Sequence, residues 1–224
     1  MSTEDEELEH IFKQIAHQWR QPLSQINSIV FAIDTIMDEE GYHNERINKK
    51  LSELEALTKY MSNTIEDFKT THKENNKNYF YIKDIIDEIE KLLLGSLKEK
   101  GINLELVIDN NLSCRGDKNR LLQVIVVIIN NAKDALVDRN IFNAKIGIKV
   151  TKESENCFIK ISDNAGGMTK STIEKIFNEE FTTKHKSEGS GIGLNMAKKI
   201  IQENFNGKIV VSNCNEGTCF EIKI

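Results

Sequence analysis

The sequence predicts an α+β protein: a long antiparallel helical hairpin, completed as a dimeric four-helix bundle, followed by an α/β sandwich. Two observations lead to this fold class. From residue 8 to residue 37, and again from residue 47 to residue 68, side chains of one stripe recur at spacings of three and four, which is the period of an amphipathic helix. Beyond the polar run THKENNKN, short segments of strand type alternate with helical ones. We therefore predict two domains, residues 1–77 and residues 78–224.

The first helix of the hairpin is predicted from one apolar stripe: Leu8, Phe12, Ile15, Trp19, Leu23, Ile26, Val30, Ile33 and Met37. The stripe passes Pro22 in phase, so we expect the helix to continue through the proline with a kink. Gly41 and Asn44 predict a turn. A second stripe follows at Ile47, Leu51, Leu54, Thr58, Met61, Ile65 and Phe68. Because one hairpin cannot cover both stripes, we expect a homodimeric bundle.

The second half is predicted as one sheet under about three helices. YFYI is a short strand, a helix runs from Lys83 to Lys100, and INLELVI alternates like a strand. The β-branched run LLQVIVVII favours a buried strand, but Asp117 is a good N-cap and NNAKDAL continues in helical style, so we predict one helix over 117–139. KIGIKVTK pairs with CFIKISD, a helix spans about 191–205, and KIVVSN forms a hairpin with TCFEIKI.

Composition excludes several classes of protein. The 224 residues carry a net charge of −5, so nucleic acid is not expected as a partner. The longest apolar run, Val124 to Ile129, is far shorter than the roughly 18 residues of a membrane span. The acidic N-terminus is not a secretory signal. Four cysteines without a CxxC pair indicate reduced thiols. We expect a cytoplasmic location, for the chain alone or as the cytoplasmic portion of a larger sensor.

The stretch HQWRQPL places a histidine five residues before the only proline of the chain. His17 falls on the helix face opposite the apolar stripe. Pro22 has no N–H, so the carbonyl of Gln18 loses its helical partner and the backbone can bend beside the histidine. Arg20 supplies a fixed positive charge for a phosphate. A neutral, exposed imidazole is a competent nucleophile, although a lone surface histidine usually has no function.

Four stretches of the second half suit phosphate and purine chemistry. In DNAGGM, residues 163–168, a carboxylate can accept from an exocyclic amine, and the glycines allow a flat ring to approach. EGSGIGL spaces three glycines alternately before a helix, where backbone N–H groups bind anions. In NNAKDAL an asparagine oxygen suits Mg²⁺. FTTKHKSE has the composition of a mobile, cationic lid. Each has a simpler alternative: a turn, a plain helix start, a surface asparagine and an ordinary loop.

Taken in this order, these motifs resemble the ATP-binding fold that histidine kinases share with gyrase, Hsp90 and MutL ATPases. HQWRQPL on a preceding helical hairpin resembles the phosphoacceptor box of bacterial two-component sensor histidine kinases. The resemblance covers about residues 8–224. It implies that residues 1–77 are a dimerisation and histidine phosphotransfer hairpin, and that residues 78–224 are a catalytic ATP-binding domain of the histidine-kinase ATPase type.

The resemblance also implies roles for individual residues. His17 would be phosphorylated, with Gln18, Arg20 and Gln21 beside it at the reaction centre. Asn131 would bind Mg²⁺, Asp163 would read the adenine amine, and Gly167 would form the floor of the adenine pocket. The remaining residues implied at the ATP site are Asp134, Met168, Phe177, Thr182, Thr183, Lys184, Gly189, Ser190, Gly191, Ile192, Gly193, Leu194 and Thr218. The implied partners are a second copy of the chain and a response-regulator receiver domain.

The sequence departs from the pattern of these kinases at several positions. Gln18 stands where an acidic residue is usual and cannot take a proton. Val127 replaces an asparagine of the kinases or the glutamate of the related ATPases, so gyrase-like hydrolysis of ATP is not expected. Ala165 replaces the first glycine of DxGxG, and Glu179 and Glu180 replace Pro-Phe. These departures leave an alternative function open, a catalytically impaired nucleotide-binding scaffold or partner-binding module of the same fold.

Overall fold

The computed structural model describes residues 3–42, 44–69, 78–108, 112–154, 156–178, 181 and 193–224, although the side chains of residues 3–18, 20, 21 and 63–69 are not described. The chain divides into two compact units, Met1–Glu74 and Asn75–Ile224. No helix in the described ranges combines the length and the apolar character that crossing a membrane requires.

The first unit is a helical hairpin. Helix α1 spans Thr3–Glu39 and contains Pro22, so the prediction that the helix continues through the proline is confirmed. Helix α2 spans Glu45–Lys69 and packs along α1. The buried hydroxyl of Thr58 donates to the side-chain oxygen of Asn27, which fixes the register of the two helices.

The turn of the hairpin has the chemistry predicted for Gly41 and Asn44. Gly41 has φ +66°, and the N–H groups of Gly41 and Tyr42 donate to the carbonyls of Asp38 and Met37 at 3.1 and 2.8 Å, which closes α1 as a Schellman motif. Asn44 then caps α2, because its Oδ1 accepts from the backbone N–H of Arg46 at 3.0 Å.

The second unit contains two sheets rather than the single predicted sheet. Strands β1 (Asn78–Tyr81) and β3 (Ser113–Gly116) form a small antiparallel pair. The main sheet has the order β2-β4-β5-β7-β6, with β2 (Asn103–Ile108) parallel to β4 (Lys145–Glu153) and the other pairs antiparallel. Strands β5 (Asn156–Asp163), β6 (Lys208–Cys214) and β7 (Gly217–Lys223) complete it.

The predicted strand pairings and the predicted central helix are confirmed. β4 pairs with β5, and β6 pairs with β7 as a hairpin. The β-branched run lies in helix α4, Lys118–Asp138, which Asp117 caps by accepting from the N–H of Asn119 at 2.9 Å. Helix α3 spans Ile82–Glu99 and helix α6 spans Gly193–Phe205. A short helix α5, Lys170–Lys175, was not predicted.

Helices α3, α4 and α6 pack over one face of the main sheet. Alternate strand residues such as Ile148, Ile159 and Ile222 are buried on that face, while Lys149 and Lys160 are exposed on the other. Burial of both helix and strand side chains in one layer forms the core of the unit. The end of β5 therefore lies beside the same helical layer that contains the start of α6.

Candidate functional site

Asp163 lies at the end of β5, and one of its two carboxylate oxygens is held by the backbone. Oδ1 accepts from the N–H of Ala165 at 2.9 Å and from the N–H of Thr218 at 3.2 Å. Neither bond uses Oδ2, and no described residue donates to it. The geometry therefore orients a carboxylate and leaves one oxygen able to accept from an amine.

The loop after Asp163 is held from one side by Arg139. Gly166 and Gly167 both have positive φ, +86° and +76°. The guanidinium of Arg139, just beyond the end of α4, donates through Nη1 to the carbonyl of Ala165 and to the carbonyl of Gly167, the latter at 2.8 Å. The N–H of Gly166 donates to the carbonyl of Glu216 at 2.7 Å. This short loop is therefore fixed at several backbone groups.

Asn213 of β6 holds the same loop from the other side. Its Oδ1 accepts from the N–H of Met168, and its Nδ2 donates to the carbonyl of Met168, both at 2.8 Å. A Cβ at Gly167 would lie 2.8 Å from Oδ1 of Asn213, which is closer than carbon atoms approach such an oxygen. Asn213 therefore requires glycine at position 167, and both backbone groups of Met168 are already paired.

Asn131 lies in α4 and is half-buried. Its Nδ2 donates to the carbonyl of Val127 at 2.8 Å, so the amide oxygen is the atom left for a cation. The described residues contain no cluster of three or more acidic, histidine or cysteine side chains that could hold a metal. Asn131 could therefore supply one oxygen ligand to Mg²⁺. The other ligands would have to come from water and from the phosphates of a bound nucleotide, as is usual for Mg²⁺ in nucleotide sites.

Helix α6 begins at Gly193, against Val127. A Cβ at Gly193 would meet Cγ1 of Val127 at 3.2 Å, a tight contact, so glycine suits the place where the two helices approach. α6 is thirteen residues long, and its first N–H groups lack intrahelical partners. Its N-terminus can therefore attract a phosphate group. The side chain of Leu194, in contrast, is buried in the core, so any contact of Leu194 with a ligand would come from its backbone.

Phe177, which lies just before residues 179–192, is hydrogen-bonded to helix α6. Nδ2 of Asn195 donates to the carbonyl of Phe177 at 2.8 Å. The Phe177 ring packs edge-to-face on Phe220 with centroids 6.3 Å apart, and the ammonium of Lys198 lies 5.7 Å from the centre of the Phe177 ring. Phe177 is therefore held against β7 and α6 at the point where the chain approaches the predicted lid.

The structure thus brings together Asp163, Gly167, Met168 and Thr218 in one hydrogen-bonded cluster. It places Asn131 and Gly193 on two helices that pack against each other. Asp134 lies three residues after Asn131 on α4. The predictions for Thr182, Thr183, Lys184, Gly189, Ser190, Gly191 and Ile192 lie outside the described residues. So do those for the side chains of His17, Gln18, Arg20 and Gln21, whose backbone lies in α1.

Arg139 and Asn213 hold the loop of this cluster by hydrogen bonds, and neither was identified from the sequence. Arg139 lies eight residues after Asn131 and has the sequence context of an ordinary surface arginine. Asn213 ends the segment KIVVSN and has the context of a turn residue. Their contacts with residues 165–168 join positions far apart in the chain, and no local spacing signals such a contact.

A cavity of about 580 Å³ also borders Asp163. Its walls include Gly147 and Ser162, which lie opposite each other on β4 and β5. These two residues lie on the sheet face that is turned away from the helices. Thr218, which belongs to the cluster around Asp163, is instead buried on the helical side. The cavity therefore shares Asp163 with the cluster but lies on the other side of the sheet, and we do not assign the nucleotide to it.

The four cysteines are free thiols. Burial raises the pKa of Cys219 to about 11. The hydrogen bond with Cys114, together with burial, raises the pKa of Cys157. Cys157 and Cys219 are therefore protonated at neutral pH and are poor nucleophiles.

Comparison with known proteins extends this description. The family described as histidine kinase-, DNA gyrase B-, and HSP90-like ATPase matches residues 116–224. Sporulation kinase A of Bacillus subtilis is 28% identical over 217 residues, which is 93% of this chain and 33% of that protein. The signal transduction histidine-protein kinase AtoS of Escherichia coli is 28% identical over 84% of this chain and 30% of its own length. The chain therefore spans about a third of these relatives.

Solved structures show the same fold. The catalytic domain of histidine kinase ThkA superposes with a TM-score of 0.59 at 25% identity, covering 68% of this chain and 95% of that domain. A structure of ThkA in complex with response regulator protein TrrA matches 96% of this chain and 60% of that chain, with a TM-score of 0.58 at 21% identity. Residues 116–224 therefore match the histidine kinase-, DNA gyrase B-, and HSP90-like ATPase family, and 68% of the chain resembles the catalytic domain of a histidine kinase.

Proposed function

We propose that this chain is a sensor histidine kinase core, which transfers the γ-phosphoryl group of ATP to His17 and then to an aspartate of a response-regulator receiver domain. One observation carries the proposal: Asp163 is oriented by Ala165 and Thr218 with an oxygen left for an amine, in a domain of an ATPase family. In this proposal residues 1–77 dimerise and carry the phosphoacceptor, and residues 78–224 bind ATP.

The adenine would be read by Asp163. Its Oδ2 accepts from the exocyclic amine, while the bonds from Ala165 and Thr218 keep the carboxylate from turning. The backbone of Met168 is paired with Asn213, so Met168 would contact the flat base with its side chain. The glycines at 166 and 167 have no side chains, so the adenine ring can approach the backbone of the loop closely.

The phosphates would lie toward the start of α6. Gly193 and residues 189–192 would supply backbone N–H groups, and Thr182, Thr183 and Lys184 would form the proposed lid. The resident cation would be held by the amide oxygen of Asn131, and Mg²⁺ there supplies neutralisation of the phosphate charge. Val127 offers no further ligand from its side chain, so the phosphates themselves must provide most of the coordination.

The transfer itself is a displacement at phosphorus. A ring nitrogen of His17 forms a bond to the γ-phosphorus, the bond to the bridging oxygen of ADP breaks, and ADP leaves. The proton lost from the imidazole passes to solvent, because Gln18 cannot accept it. Gln18 and Gln21 orient the imidazole by hydrogen bonding, and Arg20 offsets the phosphate charge. Catalysis in this proposal is positioning and charge neutralisation rather than acid–base chemistry.

A response-regulator receiver domain is the proposed second partner. One structural neighbour is a histidine kinase in complex with a response regulator protein, and that kinase aligns over 96% of this chain, including the hairpin. A free aspartate carboxylate on the receiver would attack the phosphorus of phosphohistidine, and the imidazole would leave. The bend allowed by Pro22 would give the receiver and the ATP-binding domain access to His17 in turn.

A second copy of the chain is the proposed partner of the hairpin. Leu23, Val30 and Thr58 are buried between α1 and α2. Other members of the two predicted stripes remain 36–40% exposed in the single chain: Ile26, Ile33, Ile47, Leu54 and Met61. Contiguous apolar side chains exposed along a helical hairpin indicate a surface that is covered on association. A four-helix bundle formed by two hairpins would cover them.

The alternative is a nucleotide-binding scaffold that has lost phosphoryl transfer. Val127 and Gln18 are the positions that favour it, because each lacks a polar or acidic group usual in the kinases.

A two-step reaction distinguishes the kinase from the scaffold. The chain is incubated with γ-labelled ATP and Mg²⁺, freed from nucleotide, and mixed with a receiver domain.

The proposed kinase takes up label in the first step and gives it to the receiver in the second. A receiver whose acceptor aspartate is replaced by asparagine serves as the control and should stay unlabelled. Tight binding of Mg-ATP with label on neither protein would overturn the proposal in favour of the scaffold.

A further inference from the structure

We propose that Arg139 and Asn213 are positioning residues of the nucleotide-base site, which hold residues 165–168 from two sides so that Asp163 can select adenine. The inference rests on the proposed function, in which Asp163 reads the adenine amine. No contact of either residue with the nucleotide is required, because both act through the backbone of the loop.

Arg139 acts from the end of α4. One nitrogen, Nη1, donates to the carbonyls of both Ala165 and Gly167. The carbonyl of Gly166 lies between these two in the chain, and both glycines have positive φ. Because the charged guanidinium bonds to the carbonyls of Ala165 and Gly167, it opposes rotation of the peptide groups between them. The guanidinium therefore stabilises a loop conformation that the flexible glycines would not hold alone.

Arg139 also links two parts of the site. Asn131, the candidate ligand of the metal, lies eight residues earlier on the helix that Arg139 ends, which is about 12 Å along the axis. The loop that Arg139 holds follows Asp163, the candidate reader of the base. Because α4 is a rigid helix, the bonds from Arg139 set the distance between the end of the site that binds phosphate and the end that binds the base.

Asn213 completes the support from the sheet. Its side chain makes two hydrogen bonds to the backbone of Met168, as a neighbouring strand would. The amide also occupies the space beside Gly167 that a Cβ would take. Asn213 therefore holds the far end of the loop in place, while Arg139 holds the near end, and Asp163 is aligned between the loop and Thr218.

The test is discrimination between adenine and hypoxanthine. Inosine diphosphate lacks the exocyclic amine, so the ratio of its Kd to that of ADP measures how well Asp163 is placed. We expect Arg139→Met and Asn213→Leu each to weaken ADP binding about tenfold and to change binding of inosine diphosphate less than about twofold. Binding is measured by calorimetry on the full chain.

Two further variants sharpen the result. Arg139→Lys should recover part of the lost discrimination, because a single nitrogen makes both bonds and the lysine ammonium can donate to both carbonyls. Arg115→Met, at an exposed arginine on β3, is the matched control and should leave both affinities unchanged. Should Arg139→Met not fold, Arg139→Gln, which is too short to reach both carbonyls, replaces it in the same comparison.

Equal weakening of both nucleotides would assign Arg139 and Asn213 a merely structural role and overturn the inference. Unchanged affinities would overturn it as well. The native chain distinguishes this result from failure of the proposed function. Selective binding of ADP by a chain that never forms phosphohistidine would overturn the kinase proposal alone, whereas a native chain that binds neither nucleotide would overturn both.

Discussion

The two carboxylate oxygens of Asp163 have different roles. Oδ1 supports the fold by accepting from Ala165 and Thr218, and Oδ2 is the proposed contact with adenine. Replacement by asparagine can therefore separate the two roles, because an amide oxygen still accepts from the two N–H groups while the amide nitrogen opposes the adenine amine.

We expect Asp163→Asn to bind ADP about a hundredfold more weakly with little change in the unfolding temperature. Asp163→Ala should lose both affinity and stability, since it leaves two backbone donors without their acceptor. Calorimetric titration and thermal unfolding of the same samples measure the two effects. Retained ADP affinity in Asp163→Asn would contradict the assignment of Oδ2 to the base.

Gly167 is required by its neighbour as much as by a ligand. Its φ of +76° disfavours any other residue, and its missing Cβ leaves room for Asn213. The sequence suggested glycine here for the approach of a flat ring, and the structure adds a packing reason that involves β6. This second reason could not be predicted locally, because residues 167 and 213 are distant in the chain.

We expect Gly167→Ala to destabilise the protein by about 1–3 kcal/mol, from the left-handed backbone and the contact with Asn213 together. Gly147→Ala is the matched control. Its backbone φ is not positive, and its new Cβ would meet only the rotatable hydroxyl of Ser162 at 3.1 Å, so we expect a much smaller effect. Urea unfolding compares them, and equal losses for the two would refute the explanation.

At the scale of elements, capping and turn residues decided the predictions of helix α4 and of the hairpin turn. The β-branched run in α4 has the composition of a strand, and Asp117 at its start indicated a helix, which the structure confirms. Gly41 and Asn44 likewise placed the hairpin turn. β3 and α5 were missed because they have four and six residues, too few for a period to show.

The cap of α4 can be tested directly. Asp117→Ala should lower the free energy of unfolding by about 1 kcal/mol, because the N–H groups of Asn119 and Arg120 lose their shared acceptor. Asp117→Ser should restore most of the loss. Asp138→Ala, at the other end of the same helix, is the control and should not destabilise, since an acidic residue at a helix C-terminus is unfavourable. Chemical unfolding of the three variants and the native chain measures these differences.

At the scale of the whole molecule, the exposed apolar side chains of the hairpin are the basis of the proposed dimer. We expect the chain to elute at about twice its mass of 25.6 kDa in light-scattering chromatography. Ile33→Glu, which places a charge on an exposed part of the stripe, should shift the chain toward one copy. Thr35→Glu is the control on the same helix and should leave the mass unchanged. A native chain that elutes as a monomer would contradict the bundle.

The central claim is that the γ-phosphoryl group of ATP is transferred to His17. Its most direct test is peptide mapping of the chain after incubation with Mg-ATP at neutral pH, with His17→Ala and, as the matched control on α1, His10→Ala. We expect one phosphate per chain on the peptide that contains His17, labile in acid and stable in alkali, lost in His17→Ala and kept in His10→Ala. Phosphate that is stable to acid, or that persists in His17→Ala, would contradict the claim.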